Sequence, residues 1–235
     1  VKIFLSGYGR MGKEVEQQAT ARKHTITGIA NREEDWKDKE LFSADVVIDF
    51  SLPETATDNI YRCFDRNIPM VTGTTGWYDK LDEVSEQCRR KRQTLFYAPN
   101  FSIGVNLFFT INEFLAALMD DQPDYEAHIS ETHHIHKKDA PSGTAKRLAE
   151  IIIAKTARYQ DWTTQQHDAG KIAVSSSRHG EIPGTHEVTY DSGVDTITLK
   201  HEAKSRKGFA LGAVIAAEWV AGKKGVFTMK DLLLK

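Results

Sequence analysis

One run of six residues near the N-terminus constrains this chain more than any other: Gly7-Tyr8-Gly9-Arg10-Met11-Gly12. A GxGxxG pattern takes its meaning from what flanks it. Residues 3–6 are apolar and read as a buried strand directly before it. Residues 12–21 are amphipathic and read as a helix directly after it. In that setting each glycine has a physical task. Gly7 permits a tight turn, Gly9 lets the backbone approach a pyrophosphate, and Gly12 lets the helix pack close to the strand. Free N–H groups at the helix start then face the phosphates. The plainer alternative is a strand-to-helix turn with no ligand.

The same alternation continues downstream. Residues 25–30, 46–50, 70–72 and 94–97 read as further buried strands. Helical patterns lie at 54–66 and 78–92. Strand-helix-strand repetition predicts parallel strands with right-handed crossovers, a doubly wound dinucleotide-binding sheet. The second half changes character near Phe101-Ser102-Ile103-Gly104. A long apolar helix is expected over 105–119, then a half-buried strand over 125–132. A helix opens after Asp139-Ala140-Pro141-Ser142-Gly143, and a polar stretch follows. Residues 187–190 and 196–201 alternate with period two around Ser192-Gly193, a hairpin signature. A helix is expected over 208–221, and residues 226–234 close the pattern.

Many dinucleotide folds carry an acid at the end of the second strand for the ribose hydroxyls. This chain has Ala30-Asn31-Arg32 there. Asn31 can hydrogen-bond ribose without repelling a 2′-phosphate, and a guanidinium at Arg32 suits that phosphate in charge and geometry. NADPH is therefore favoured over NADH. A solvated loop arginine is the alternative, and Glu33 and Glu34 keep NADH in play.

The densest chemistry lies in Glu131-Thr132-His133-His134-Ile135-His136-Lys137-Lys138-Asp139-Ala140-Pro141-Ser142-Gly143-Thr144. Adjacent histidines on an extended segment point to opposite sides, and no cysteine or acidic set accompanies them in sequence, so no metal is expected. An anion site fits better. Ser142 is a natural N-cap, and Gly143 and Thr144 then present N–H groups at a positive helix end suited to a carboxylate. Lys137, crowded by other cations, is expected to give up a proton more readily and so to serve as a donor. A solvated basic loop before a capped helix is the alternative.

Bulk properties exclude other classes. A formal net charge of −2 gives no general pull toward nucleic acid or an anionic membrane. Arg89-Arg90-Lys91-Arg92 ends a predicted helix, where cations are favoured. No apolar stretch is long enough to span a bilayer. The first residues are too soon broken by glycine for a signal peptide, and Cys63 and Cys88 fit no ligand spacing, so a cytoplasmic protein is expected.

Taken together, the glycine turn, the turns Gly73-Thr74-Thr75-Gly76 and Ala98-Pro99-Asn100-Phe101-Ser102, and the His133–Thr144 segment resemble the dihydrodipicolinate reductase family. Two further segments carry the likeness, from Arg178-His179-Gly180-Glu181 through His186-Glu187-Val188, and Ser205-Arg206-Lys207-Gly208-Phe209. The resemblance implies an α/β fold. It combines a Rossmann-type doubly wound parallel sheet (residues 1–102 and 206–235, binding the dinucleotide) with a smaller α+β domain on a mixed sheet (103–205, for substrate and oligomerisation). It implies His133 and Lys137 as the catalytic pair, and His134, Ser142, Gly143 and Thr144 around a substrate carboxylate. It places Gly7, Tyr8, Gly9, Arg10, Met11, Gly12, Asn31, Arg32, Phe50, Ser51, Gly73, Thr74, Thr75, Ala98, Pro99, Asn100, Phe101, Arg206 and Phe209 at the cofactor. It further implies NAD(P)H-dependent reduction of a small dicarboxylate ring in lysine and diaminopimelate synthesis, by a homotetramer that binds neither nucleic acid nor membrane.

Three other readings compete. A related two-domain dehydrogenase for an amino or sugar acid would have no need of the His/Lys segment. A dinucleotide-sensing regulator would need a DNA-reading module. A metal hydrolase would have to use the clustered histidines.

Overall fold

The computed structural model describes residues 1–165, 170–205 and 207–234. In chain order the elements are β1 (Lys2–Ser6), α1 (Arg10–Ala21), β2 (Thr25–Ala30), α2 (Asp38–Phe42), β3 (Val46–Asp49), α3 (Pro53–Asp65), β4 (Met70–Thr72), α4 (Leu81–Arg90), β5 (Thr94–Tyr97), α5 (Ile103–Met119), β6 (Glu126–His133), α6 (Gly143–Lys155), β7 (Asp161–Thr163), β8 (Lys171–Arg178), β9 (Thr185–Asp191), β10 (Thr196–Glu202), α7 (Lys207–Trp219), β11 (Gly225–Phe227) and α8 (Met229–Leu233). Contacts divide the chain into two units, Val1–Ile103 with Lys207–Lys235, and Gly104–Arg206.

In the first unit β1, β3, β4 and β5 are apolar on both faces, which is why they read as continuous runs. Ile3, Leu5, Val46, Ile48, Val71 and Phe96 face one layer, formed by Val15 and Ala19 of α1 and Ala210, Ala213, Val214 and Ala217 of α7. Phe4, Val47, Met70 and Leu95 face the other, formed by α3 and α4 through Ile60, Phe64, Val84 and Cys88. Each such side chain contributes roughly 1.5–3 kcal/mol by leaving water. The six strands are all parallel, in the order β2-β1-β3-β4-β5-β11. The strand order reverses between β1 and β3. At such a reversal the crossovers leave on opposite faces and open a crevice at the strand ends.

The second unit is a mixed five-stranded sheet, β10-β9-β6-β8-β7. β6 runs antiparallel to β9 and parallel to β8, and β9–β10 is the expected hairpin. One face is covered by α5 and α6, through Phe108, Ala116, Leu148 and Ile152 against Ile129, Val174, Val188 and Tyr190. Asn112 of α5 donates to the Leu148 carbonyl of α6 at 3.1 Å. The polar stretch after α6 holds two strands that sequence reading passed over. β8 begins with only Ile172, Ala173 and Val174 before three serines, too short an apolar run to stand out. No helix among the described residues is long and apolar enough to cross a membrane.

Candidate active site

At the reversal in the first sheet, the glycine turn is built as its spacing predicts. Gly7 has φ +83°, and a Cβ there would lie 2.2 Å from the Phe50 carbonyl oxygen. The turns after β1 and β3 therefore touch backbone to backbone. At Gly9 a Cβ would meet nothing within 4 Å, so the space beside the start of α1 is open. The first-turn N–H groups of α1 have no acceptor within the helix. An open cradle of free donors, with exposed Arg10 at its rim, fits a pyrophosphate.

A buried carboxylate braces this edge. Asp49, wholly buried at the end of β3, accepts from the Ser6 hydroxyl at 2.6 Å and from Asn59 at 3.3 Å on Oδ1. It accepts from Thr72 at 2.8 Å and Thr74 at 2.7 Å on Oδ2. Thr74 in turn accepts from the Ser51 amide at 2.8 Å, and its carbonyl accepts from the Trp77 indole at 2.8 Å. The loops carrying Ser51 and Thr74 are thereby pinned to one side chain.

In the second unit, strand geometry assembles a cluster that no local motif announces. Glu131 and His133 are two apart on β6 and share a face. His186 lies opposite Glu131 on β9, while Ser176 and Arg178 lie opposite Glu131 and His133 on β8. The start of α6 covers this face. Glu131 Oε1 accepts from the Ser142 amide at 3.0 Å and from Ser176 at 2.9 Å, with the Arg178 guanidinium at 3.4 Å. Ser142 Oγ lies 3.1 Å from His186 Nε2 and accepts from the Ala145 amide at 3.2 Å, the expected N-cap. Glu131 Oε2 stands 3.4 Å from His133 Nδ1 and 3.6 Å from His186 Nε2, without the geometry of a hydrogen bond.

Electrostatics follow from this packing. Burial alone would raise the Glu131 carboxyl, but polar contacts from His186, Ser142 and Ser176 outweigh it and hold the group well below the usual carboxylate range. Burial pushes His133 down to about 4; Glu131 opposes this, and His186, Lys137 and Arg178 add to it. His133 is therefore neutral at neutral pH. Lys137 ion-pairs with both oxygens of Asp139 at 2.7 and 2.8 Å. That loop is stapled by Arg178, which donates to the carbonyls of Lys137 and Asp139.

A family model described as dihydrodipicolinate reductase, N-terminus, matches residues 1–101, and the corresponding C-terminus model matches residues 104–233. This chain belongs to the dihydrodipicolinate reductase family. It is thus an oxidoreductase using a pyridine nucleotide. It is 45% identical to a 4-hydroxy-tetrahydrodipicolinate reductase of Christiangramia forsetii, over 99% of this chain and 98% of that protein. A Neisseria meningitidis reductase of the same name is 35% identical, over 88% of this chain and 78% of its own. Among solved structures, a dipicolinate-bound dihydrodipicolinate reductase from Paenisporosarcina sp. TG-14 superposes with a TM-score of 0.83 at 20% identity, covering 100% of this chain and 99% of that one.

Against this family background, the turns 7–12, 50–51, 73–75 and 98–101 all follow strands of the parallel sheet and gather at one edge. Phe50 packs edge-on to Phe101 at 6.0 Å. Phe209 is partly buried on α7, and Arg206 lies outside the described residues. Asn31 does something unforeseen: its Oδ1 accepts from the Tyr8 amide at 2.6 Å and braces the glycine turn. The acid that caps this corner is Asp35, which accepts from the amides of Asn31 and Arg32 at 3.0 Å each. Arg32 is exposed, 3.7 Å from Glu34.

Two expectations about the basic segment need correction. Lys137 is not simply crowded by cations, because Asp139 two residues on folds back onto its ammonium. The sequence offered no compact acidic set near the clustered histidines; strand pairing nevertheless brings ligand atoms of Glu131, His133 and His186 within 4.8 Å of one another. The sequence reading considered neighbours along the chain, while strand pairing chose neighbours across it. Glu131, Arg178 and His186 were the residues missed, and the period-two spacing of Glu131 and His133 was the available signal.

Proposed function

We propose that this chain reduces 4-hydroxy-tetrahydrodipicolinate, or its dehydrated dihydrodipicolinate form, to tetrahydrodipicolinate in lysine and diaminopimelate synthesis. The observation that carries the reading is one continuous segment, 131–144, that joins a buried neutral histidine, a lysine ammonium and a capped helix start. Family membership over both halves of the chain supplies the substrate.

In this reading residues 1–102 and 206–235 bind the dinucleotide, and residues 103–205 bind substrate. The pyrophosphate lies on the 7–12 turn, with Asn31 and Arg32 toward the ribose and residues 50–51, 73–75, 98–101, Arg206 and Phe209 toward the nicotinamide. Bound there, the reduced cofactor supplies a hydride equivalent to the ring. Ser142, Gly143, Thr144 and His134 hold a substrate carboxylate, since the first-turn amides of α6 and its positive end favour an anion. Lys137 and His133 are the catalytic residues. Neutral His133 is a very weak acid at neutral pH, which supports the Lys137 ammonium, held by Asp139, as the donor to the reduced ring.

NADPH is favoured because Arg32 is exposed and bears the charge a 2′-phosphate needs. A cytoplasmic homotetramer completes the reading. Self-association is supported by the exposed stripe Leu107, Ile111, Phe114 and Leu118 on α5. Steady-state kinetics with both nicotinamides, on substrate freshly formed from aspartate semialdehyde and pyruvate, test the activity. Turnover with a lower KM for NADPH is expected, and no oxidation of either cofactor would sink the reading. Sedimentation tests the assembly.

A further inference from the structure

A catalytic role for His133 requires that its ring be held in one orientation. Its neighbour Glu131 is 1% exposed, and the two oxygens of that carboxylate are used differently. Oε1 is committed to the Ser142 amide, Ser176 and Arg178. Oε2 has no hydrogen bond, yet it faces His133 Nδ1 at 3.4 Å and His186 Nε2 at 3.6 Å. His133 Nδ1 is also buried and without another partner.

An ionised carboxylate can only accept, and a neutral imidazole has one N–H and one lone pair. Lone pair against carboxylate is repulsive, so the proton belongs on Nδ1 and the lone pair on Nε2. Room for that second nitrogen depends on a residue without a side chain. A Cβ at position 184 would come within 2.9 Å of His133 Nε2, and the residue there is Gly184, at φ +153°. His186, packed edge-on to His133 at 5.0 Å and 3.1 Å from Ser142 Oγ, closes the other side of the carboxylate.

We propose that Glu131 is a positioning residue: its carboxylate fixes His133 in the Nδ1–H tautomer while the same side chain ties down the Ser142 amide at the start of α6, so that His133 meets substrate as a hydrogen-bond acceptor through Nε2. The proposal rests on the reading of His133 as a catalytic residue. It divides the work between the two groups. Lys137 is the donor, and His133 accepts from an N–H or O–H of the substrate or from the Lys137 ammonium. One carboxylate thus sets both the orientation of the imidazole and the position of the helix end that receives the substrate anion.

The test is imidazole 15N NMR of histidine-labelled full-length protein at pH 7.5, with His133 assigned by His133→Gln, beside kinetics of Glu131→Gln. The glutamine keeps an acceptor for Ser142 but turns an N–H toward His133. The wild type should show a protonated Nδ1 and Glu131→Gln a protonated Nε2. Turnover in Glu131→Gln should fall about tenfold or more, as tautomer-disrupting changes do, with dinucleotide affinity unchanged. A wild-type His133 protonated on Nε2 overturns the proposal without any variant, even if Glu131→Gln fails to fold. A tautomer that survives Glu131→Gln, or one that flips with turnover intact, overturns it as well. A wild-type chain inactive on the substrate defeats the functional reading instead, and the 15N shifts still decide whether Glu131 sets the tautomer.

Discussion

Each unit buries one carboxylate at the heart of its candidate site, and the two are treated in opposite ways. Asp49 has both oxygens filled by neutral donors, three hydroxyls and one amide. Glu131 has one oxygen filled, partly by a guanidinium, and the other left facing two imidazoles. A fully satisfied buried network rigidifies its surroundings, whereas an unpaired buried oxygen carries a desolvation cost that a donor beside it can relieve. Under the proposed function, the difference separates scaffold from chemistry. Around Asp49 the protein needs loops that hold still. Around Glu131 the proposed chemistry needs an imidazole with a defined proton and a nearby cation.

The most forceful way to break this contrast is Lys137→Ala. If chemistry resides in the second unit, turnover should drop roughly 10²- to 10⁴-fold, with dinucleotide affinity, measured by fluorescence titration, nearly unchanged. Near-wild-type turnover would end the distinction. Asp49→Asn should do the reverse. It places an N–H among donors that already point inward, costing about 2–4 kcal/mol of stability, visible as a lower urea midpoint with weaker dinucleotide binding. A variant as stable as the parent would show the network to be idle.

Acid should separate the two sites further. In the fold His133 is pushed down to about 4, against an ordinary value of 6.5. As pH falls from about 6.5 to 4, the unfolded chain takes up this proton and the folded chain does not, so stability declines by up to about 3 kcal/mol. Glu131 adds a second loss at lower pH. Its carboxyl is depressed in the fold, so below the ordinary value of 4.5 the unfolded chain protonates first. Urea melts at pH 7 and pH 5 should differ less in His133→Gln than in the parent. An equal difference would deny His133 its buried neutral state. The smallest effect is expected at Arg32→Ala, an exposed position. The KM for NADPH should rise a few-fold, about 1 kcal/mol or less, with that for NADH unmoved; equal changes would remove Arg32 from cofactor choice.

Legibility in the sequence followed the range of the interactions. The glycine turn, the Ser142 cap and the strands of the first sheet could be read directly, since each depends on residues within a few positions or on an apolar run buried on both faces. β8 could not be read, because its stability comes from pairing with β6 some forty-five residues away and its serines blunt the apolar signal. Asn31 was placed at the right corner, but its hydrogen bond to the Tyr8 amide depends on how β1 and β2 align. Asp139 lay in plain view beside Lys137, yet only a loop closed by Arg178 brings the pair into contact.

What the sequence by itself determined is therefore local. A backbone that must turn at Gly7, a helix that must start at Ser142 and a basic segment between strand and helix are dictated by dihedral freedom and unsatisfied N–H groups, which act over a few residues. Tertiary structure alone decided the company each side chain keeps. Register across β8, β6 and β9 sets Ser176, Arg178, Glu131, His133 and His186 on one face, because hydrogen-bonded strands fix which residues stand opposite. A one-residue slip in either pairing would send part of that set to the other side of the sheet.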